Sequence, residues 1–316
     1  MHPAYSVIFF TTSSGAGYGL WVWLAIRMMT GAAEGAGAMA ALVLGGILVT
    51  LGLLSSTFHL GHPERAWRAF SQWRTSWLSR EGVAAVLTYA PAGWLFLGLV
   101  LPGELPGMAF AAALLGLGAV ATVWCTGMIY ASLRTVPAWN TALVPVVYMA
   151  LAAATGALLL ALIDAVIGTG RGAAWLAAAA LLSGAALKVL YWRRIDGAKP
   201  RFGIADALGI PGARRIRPLD PPHTQPNFVM REMGYVVARR HARRLRRIAL
   251  ALLFAVPLTA TLASAFWPGG AVPLLALASL SASLGVWLER WLFFAEAEHL
   301  SMLYYPETRP AEASGA

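Results

Sequence analysis

The chain has 316 residues, of which 59% are hydrophobic and 12% charged, and its mean hydropathy is +0.65. A soluble globular domain carries about 25% charged residues, so this composition excludes that class and indicates a membrane protein. Its formal net charge is +10, and its single cysteine, Cys125, excludes both a disulfide framework and an iron–sulfur cluster held by this chain alone.

Eight apolar runs are long enough to cross a bilayer, which takes about 20 helical residues. We predict membrane-spanning helices at residues 8–29, 37–58, 82–101, 108–133, 141–166, 173–192, 247–267 and 271–294. Abundant alanine and glycine in these runs allow neighbouring helices to approach closely. The predicted fold is therefore an all-α integral membrane protein, with residues 1–316 forming a single eight-helix membrane domain.

The basic residues lie almost entirely on one side of the predicted bundle. With eight spans, both termini share a face with the loops after spans 2, 4 and 6, and only Arg27 and Arg171 lie on the opposite face. Cytoplasmic loops are enriched in Lys and Arg, so this bias places both termini in the cytoplasm. We expect the protein in the bacterial cytoplasmic (inner) membrane, with a long basic cytoplasmic loop at 193–246 between helices 6 and 7.

Two interpretations of this basic loop remain open. Its arginines can fix the topology and attract anionic lipid headgroups. The loop can also dock a cytoplasmic partner with an acidic face. The candidate docking residues are Arg214 and Arg215 in this loop, together with Arg65 and Arg68 in the loop after span 2. Nucleic acid is not an expected partner, because the charge adjoins a membrane helix and lacks interleaved aromatic residues for base stacking.

The stretch SSTFHLGHPERAW, residues 55–67, begins where span 2 leaves the membrane. His59 in this stretch and Glu81 before span 3 bracket one cytoplasmic loop at interfacial depth. Between them, apolar side chains recur at spacings of three and four residues, which predicts a short amphipathic helix on the membrane surface. These side chains are Trp67, Phe70, Trp73 and Trp77.

A histidine and a glutamate at the membrane edge suit quinone chemistry. Quinones partition into the bilayer and exchange two electrons and two protons, so His59 can donate to a quinone oxygen and Glu81 can relay protons to water. The structural alternative is that His59 caps span 2, while Glu81 caps span 3 or pairs with an arginine.

Further residues on this face are candidates for a quinone headgroup pocket, namely His62, Trp77, Arg80, Tyr130 and Arg134. The alternatives are that His62 is a loop residue and that Tyr130, Arg134 and Trp139 form an interfacial anchor belt. Glu289 and Arg290, late in span 8, are expected to form an ion pair at the membrane edge, with a role in proton access as a weaker possibility.

Other classes of membrane protein are disfavoured. None of the six histidines lies in the middle of a predicted span, so we do not expect a bis-histidine haem. A transporter or channel usually carries charged residues at mid-membrane depth, and these are nearly absent from the predicted spans. A passive anchor with quinone bound elsewhere remains open. We assign no catalytic residue and no metal ligand to this chain.

Four stretches resemble the DmsC family of membrane anchor subunits, within the NrfD-like group of eight-helix proteins: MHPAYSVIFFTT, STFHLGHPERAWRAFSQWRTSWLSREG, LRTVPAW and LERWLFFAEAEHLSMLY. The resemblance implies two partners, a ferredoxin-like subunit with four iron–sulfur clusters and a molybdopterin catalytic subunit with molybdenum bis-pterin. It also implies exchange of electrons with ubiquinone or menaquinone without haem. The family's quinone-site histidine and glutamate fall on His59 and Glu81.

Two features differ from the anchor of dimethyl sulfoxide (DMSO) reductase. The basic loop is longer, and the charge bias puts the partner-binding face in the cytoplasm. Both features are more similar to the anchor of the cytoplasmic sulfite:quinone oxidoreductase. The resemblance thus implies electron transfer to quinone in sulfite oxidation, with a DMSO reductase-type complex that oxidises menaquinol as the alternative.

Overall fold

The computed structural model describes residues 1, 3–32, 35–103, 105–199, 202–210, 216, 225, 227–235 and 237–305, without the side chains of His59 and Val237. Within these ranges every regular element is helical. The candidate docking residues Arg214 and Arg215 lie outside the described residues, so their role stays a prediction.

Eight long helices make up the bundle: α1 Tyr5–Met29, α2 Gly35–Ser55, α3 Trp77–Val100, α4 Met108–Ala131, α5 Leu143–Ile167, α6 Gly172–Asp196, α7 Ala242–Phe266 and α8 Ala271–Ala295. Seven helices in the described part, α2 to α8, are long and apolar enough to cross a membrane. Helix α1 is also 25 residues long, but Ser, Thr and Gly residues reduce its hydropathy. The chain is therefore a multi-pass membrane protein, and an eighth span at α1 stays a prediction.

Helix α1 lies at the centre of the bundle, in contact with α2, α4, α5 and α8. Glycine makes its closest contact possible: a Cβ atom on Gly19 would overlap the backbone of Ala152 in α5, and one on Gly156 would overlap the backbone of Gly19. The two helices thus cross backbone against backbone. Small residues do bring helices together here, as the composition indicated.

One end of the bundle brings together the start of α1, the ends of α2 and α8, and the connection between α4 and α5. The Ser55 hydroxyl donates to the Ser6 carbonyl at 3.0 Å, and the Met1 amine donates to the Ala297 carbonyl at 2.8 Å. The Leu300 amide donates to the Thr135 carbonyl at 2.9 Å. Residues 56–76, here called the linker, connect α2 to α3 at the same end, which we call the linker end.

Two helices, α3 and α7, begin five residues earlier than the sequence indicated. Helix α3 begins at Trp77 rather than at residue 82, because Ser76 caps it by accepting a hydrogen bond from the Ser79 amide. Glu81 is therefore the fifth residue of a helix and not part of a loop. Helix α7 begins at Ala242, inside the predicted loop 193–246, so that its first turns carry arginines of that loop.

Candidate functional site

The linker lies across the start of α3 and is held there by Arg80. The Arg80 guanidinium donates to the carbonyls of Trp73 at 3.0 Å and Arg74 at 2.7 Å, and it lies 4.3 Å from the ring centre of Trp77. The Phe70 ring packs against Gly82, where a Cβ atom would come within 3.1 Å of it. Two of the predicted pocket residues, Trp77 and Arg80, thus position the linker on the bundle.

The linker contains two short 3₁₀ helices, Ser56–His59 and Pro63–Gln72. The amphipathic helix predicted over 67–77 was wrong in its bounds, because the chain turns after Gln72 and Trp77 already belongs to α3. His59 ends the first 3₁₀ helix. Its side chain lies outside the described residues, so its role as a quinone ligand stays a prediction.

The other polar linker residues are exposed. His62 Nδ1 lies 3.0 Å from Glu64 Oε1, and Arg65 lies 3.7 Å from the same carboxylate. Arg68 lies over the ring of Trp67, 5.6 Å from its centre. The structure therefore places these side chains on the outer surface of the linker and not beside the buried Glu81.

Glu81 is buried between α3 and α4, with 4% of its surface exposed. Its carboxyl group makes a short hydrogen bond with the Thr126 hydroxyl of α4, and this hydroxyl also lies 3.0 Å from the Thr122 carbonyl. Glu81 therefore neither caps α3 nor pairs with an arginine among the described residues. Both structural alternatives for Glu81 fail.

The Thr126 hydroxyl can serve Glu81 in either protonation state. A hydroxyl has one proton to donate and can also accept. When Glu81 is ionised, Thr126 donates to it; when Glu81 is protonated, Glu81 donates to Thr126, which then donates to the Thr122 carbonyl. This arrangement suits a carboxyl group that gains and loses a proton while buried.

Tyr130 lies one helical turn after Thr126 and on the same face of α4. Its ring stacks on Tyr148 of α5 at a centroid distance of 5.7 Å and meets Phe293 of α8 edge to face at 5.3 Å. Trp139 joins this cluster by stacking on Phe293 and donating from Nε1 to the Phe293 carbonyl at 2.9 Å. The anchor-belt alternative is therefore wrong for Tyr130 and Trp139, which pack within the bundle.

The Arg134 side chain, in contrast, is exposed in the connection between α4 and α5. Of the five residues proposed for a headgroup pocket, only Tyr130 packs against the aromatic side chains of α5 and α8, because Trp77 and Arg80 hold the linker, and His62 and Arg134 are exposed. The predicted pocket does not form as a single group.

Three charged residues of α6 and α8 are buried together inside the bundle. Lys188 of α6 forms an ion pair with Glu289 of α8, and Arg290 Nη1 lies 3.4 Å from Glu289 Oε2. All three side chains are at most 3% exposed. Lys188 lies eight residues before the end of α6, about 12 Å along the helix axis. Glu289 and Arg290 thus form the expected ion pair, and both side chains are buried between helices.

A lysine within an apolar span was the signal that sequence reasoning missed. Lys188 stands in the run LKVLYW, inside the predicted span 173–192. An ionisable residue inside a span is rare and usually functional, so Lys188 qualified as a candidate on its own. Its partner in α8 was not apparent, because the pair is separated by about a hundred residues.

The buried charges and tyrosines form one row across the linker end of the bundle. The Arg290 guanidinium lies 3.5 Å above the ring of Tyr148, which stacks on Tyr130. Glu81 lies within electrostatic range of both tyrosines. We call the whole set the buried polar row: Lys188, Glu289, Arg290, Tyr148, Tyr130 and Glu81. When Lys188, Arg290, Glu289 and Glu81 are all ionised, the two positive and two negative charges of the row balance.

A cavity of about 280 Å³ lies beside this row, between α6, α7 and the end of α8. Arg246 of α7 lines it and bridges the carboxylates of Asp196 and Glu296 at 2.7 and 2.8 Å. The rings of Tyr191 and Trp192 also line it. At the opposite end of the bundle, Arg27 of α1 forms a 2.7 Å ion pair with Asp164 of α5, so ion pairs between helices occur at both ends.

Similarity to known proteins extends over nearly the whole chain. A family model described as "DMSO reductase anchor subunit (DmsC)" matches residues 1–295. The chain is also 35% identical, over 331 aligned positions, to the C component of the sulfite dehydrogenase of Allochromatium vinosum. This alignment covers 96% of the present chain and 99% of that protein.

Proposed function

Because this chain belongs to the DmsC family and is a membrane anchor subunit of an oxidoreductase complex, we propose that it is also the quinone-reactive subunit of that complex. It passes electrons between an iron–sulfur subunit and the quinone pool of the bacterial cytoplasmic membrane. The iron–sulfur clusters and the molybdenum bis-pterin belong to partner subunits, and this chain supplies protein groups to the quinone.

The observation that carries this proposal is the buried Glu81–Thr126 pair at the linker end. Reduction of a quinone takes up two electrons and two protons, so its site needs a proton donor at membrane depth. Glu81 is buried, and Thr126 satisfies its hydrogen bonding in both protonation states. We assign the exchange of protons with the quinone to Glu81 and a hydrogen bond to a quinone oxygen to His59.

We further propose that the complex oxidises sulfite in the cytoplasm, on the basis of similarity to a sulfite dehydrogenase component. Oxidation of sulfite with one water yields sulfate, two protons and two electrons, and the quinone takes up two electrons and two protons. The second candidate is a complex of the DMSO reductase type, which is favoured by the family model's description as a DMSO reductase anchor subunit. In that complex, menaquinol would instead give up its electrons and protons at the same site.

The linker end is the surface that we propose for partner docking. The linker exposes aromatic side chains, including Phe58 at 82% and Trp67 at 65% exposure. Arg65 and Arg68 are exposed beside them. Aromatic residues and arginine are enriched at protein interfaces, so this combination suits the iron–sulfur subunit.

The test uses the assembled complex, with His59→Ala and Glu81→Gln in this chain. We expect each variant to assemble but to reduce quinone about a hundredfold more slowly, the range of general acid–base contributions. Glu64→Gln, in the exposed part of the linker, is the matched control. Electron transfer from sulfite to a water-soluble dye, which bypasses the quinone site, should stay unchanged.

A passive anchor is the rival explanation. It predicts that both variants reduce quinone at the wild-type rate while the complex remains intact. Loss of dye reduction together with quinone reduction would instead point to a failure of assembly, which co-purification of the partner subunits measures directly.

A further inference from the structure

The cavity at the linker end comes close to the buried Lys188. The Lys188 Nζ atom lies 4.4 Å from the ring centre of Tyr191 and 4.7 Å from that of Trp192. Both rings line the cavity, together with the charged side chains of Arg246 and Glu296. Water occupies about 30 Å³ per molecule, so this cavity has room for several. The Lys188 ammonium therefore lies against two of the rings that line this charged space, which is large enough to hold water.

On the side away from the cavity, Lys188 is followed by a group of buried polar atoms without hydrogen-bond partners. Among the described residues, this holds for the Tyr148 hydroxyl, for both Glu289 carboxylate oxygens apart from their ion pairs, and for Nε and Nη1 of Arg290. More than about 90% of buried polar groups have a partner. Unpaired atoms on three neighbouring residues point to internal water molecules that join them.

The Tyr148 end of this group reaches Glu81 through α4. Tyr148 stacks on Tyr130, and Tyr130 lies one turn from Thr126, the partner of Glu81. Helices α3, α4, α5, α8 and α6 each contribute to this row, and Glu81 lies within electrostatic range of both tyrosines. The row therefore connects the cavity to the proposed quinone site through the interior.

We propose that the buried polar row is a proton relay that supplies Glu81 from the cavity. This inference rests on the proposed function, since each quinone reduced takes two protons along with two electrons from the partner's clusters. Lys188 gives a proton to Glu289 and regains one from cavity water. Internal water and the hydroxyls of Tyr148 and Tyr130 then pass it on, each hydroxyl releasing its own proton as it accepts another.

Arg290 stays protonated throughout, because a guanidinium does not lose its proton in proteins. Its fixed charge faces Glu289 and the Tyr148 ring, and Glu296 at the cavity is the other carboxylate that acts on Lys188. With Glu81 ionised, the row is neutral, and each arriving proton adds one positive charge. Transfer to quinone removes that charge, so the relay returns to its neutral state after each step.

A purely structural ion pair is the alternative, and a double variant separates the two. Removing one partner of a buried pair costs about 3–5 kcal/mol, while replacing both is often neutral. Lys188→Met combined with Glu289→Gln removes both titratable groups, and the new amide oxygen can still accept from Arg290. A structural role predicts that this complex assembles and works normally. The relay predicts that it assembles but reduces quinone slowly.

The experiment measures quinone reduction by the assembled complex with this double variant. We expect the rate to fall by about tenfold or more, with a larger solvent deuterium isotope effect and partial recovery on adding a small weak acid such as hydrazoic acid. Lys199→Met, at the only other lysine of the chain and exposed to solvent, is the matched control. A wild-type rate with an unchanged isotope effect would overturn the relay.

Tyr148→Phe carries the test if the double variant does not assemble, because it keeps the ring beneath Arg290 and removes only the hydroxyl. The relay predicts for this variant the same fall in rate, the same larger isotope effect and the same partial recovery with weak acid. Glu81→Gln separates the two proposals: if it abolishes quinone reduction while the relay variants do not, only the relay fails. If Glu81→Gln leaves quinone reduction intact, the proposed function itself fails.

Discussion

Replacing Thr126 by valine isolates the hydrogen bond on which the proposed quinone site depends. Valine has nearly the shape of threonine, so Thr126→Val removes the hydroxyl and leaves the packing between α3 and α4 in place. The Thr122 carbonyl keeps its helical partner. Glu81 loses the one hydrogen-bond partner that it has among the described residues.

The size of the effect follows from the burial of Glu81. A hydrogen bond to a charged group contributes about 1.5–3 kcal/mol, and about 1.4 kcal/mol corresponds to a factor of ten. Protonated Glu81 also loses a hydrogen bond, which contributes about 0.5–1.5 kcal/mol, so the balance between ionised and protonated Glu81 should be displaced by the difference, about tenfold. Both states must occur in every catalytic cycle, so quinone reduction should slow by about tenfold or more.

The assay follows sulfite-dependent reduction of a short-chain quinone by the purified complex, with dye reduction as the measure of electron supply. Thr126→Ser keeps the hydroxyl and should stay within about twofold of the wild type. The reasoning is refuted if the valine and serine variants have equal rates, because the hydroxyl would then have no part in proton exchange at Glu81.

Two further predictions concern packing and charge movement. Gly156→Val should prevent stable folding, because its side chain would overlap the backbone of Gly19. This clash is larger than ordinary overpacking, which costs about 1–3 kcal/mol. The control, Gly93→Val, introduces a side chain where no atom lies near and should fold normally. Equal thermal stability of the two variants in detergent would contradict the prediction. Turnover in sealed vesicles should generate no membrane potential, because electrons and protons both reach the quinone from the linker end. A voltage-sensitive dye measures this, and a dye signal on addition of sulfite and quinone would contradict the proposed route.

The sequence predicted the helical membrane architecture well, and seven of the predicted spans correspond to helices that are long and apolar enough to cross a membrane. It misjudged where α3 begins, because hydropathy follows apolar residues, while a helix capped at Ser76 continues through the polar side chains of Ser79, Arg80 and Glu81. The sequence therefore placed the candidate residue Glu81 in the wrong structural setting. Glu81 is buried against α4 and does not lie in the interfacial loop.

Length and hydropathy along the chain determined by themselves that this is a multi-pass membrane protein. These are sums over neighbouring residues, which a sequence contains in full. Only the tertiary structure decided that Lys188 meets Glu289 and that Tyr148 joins Arg290 to Tyr130. Such partners depend on how each helix is rotated against the others, and that rotation is set by side-chain packing between distant segments.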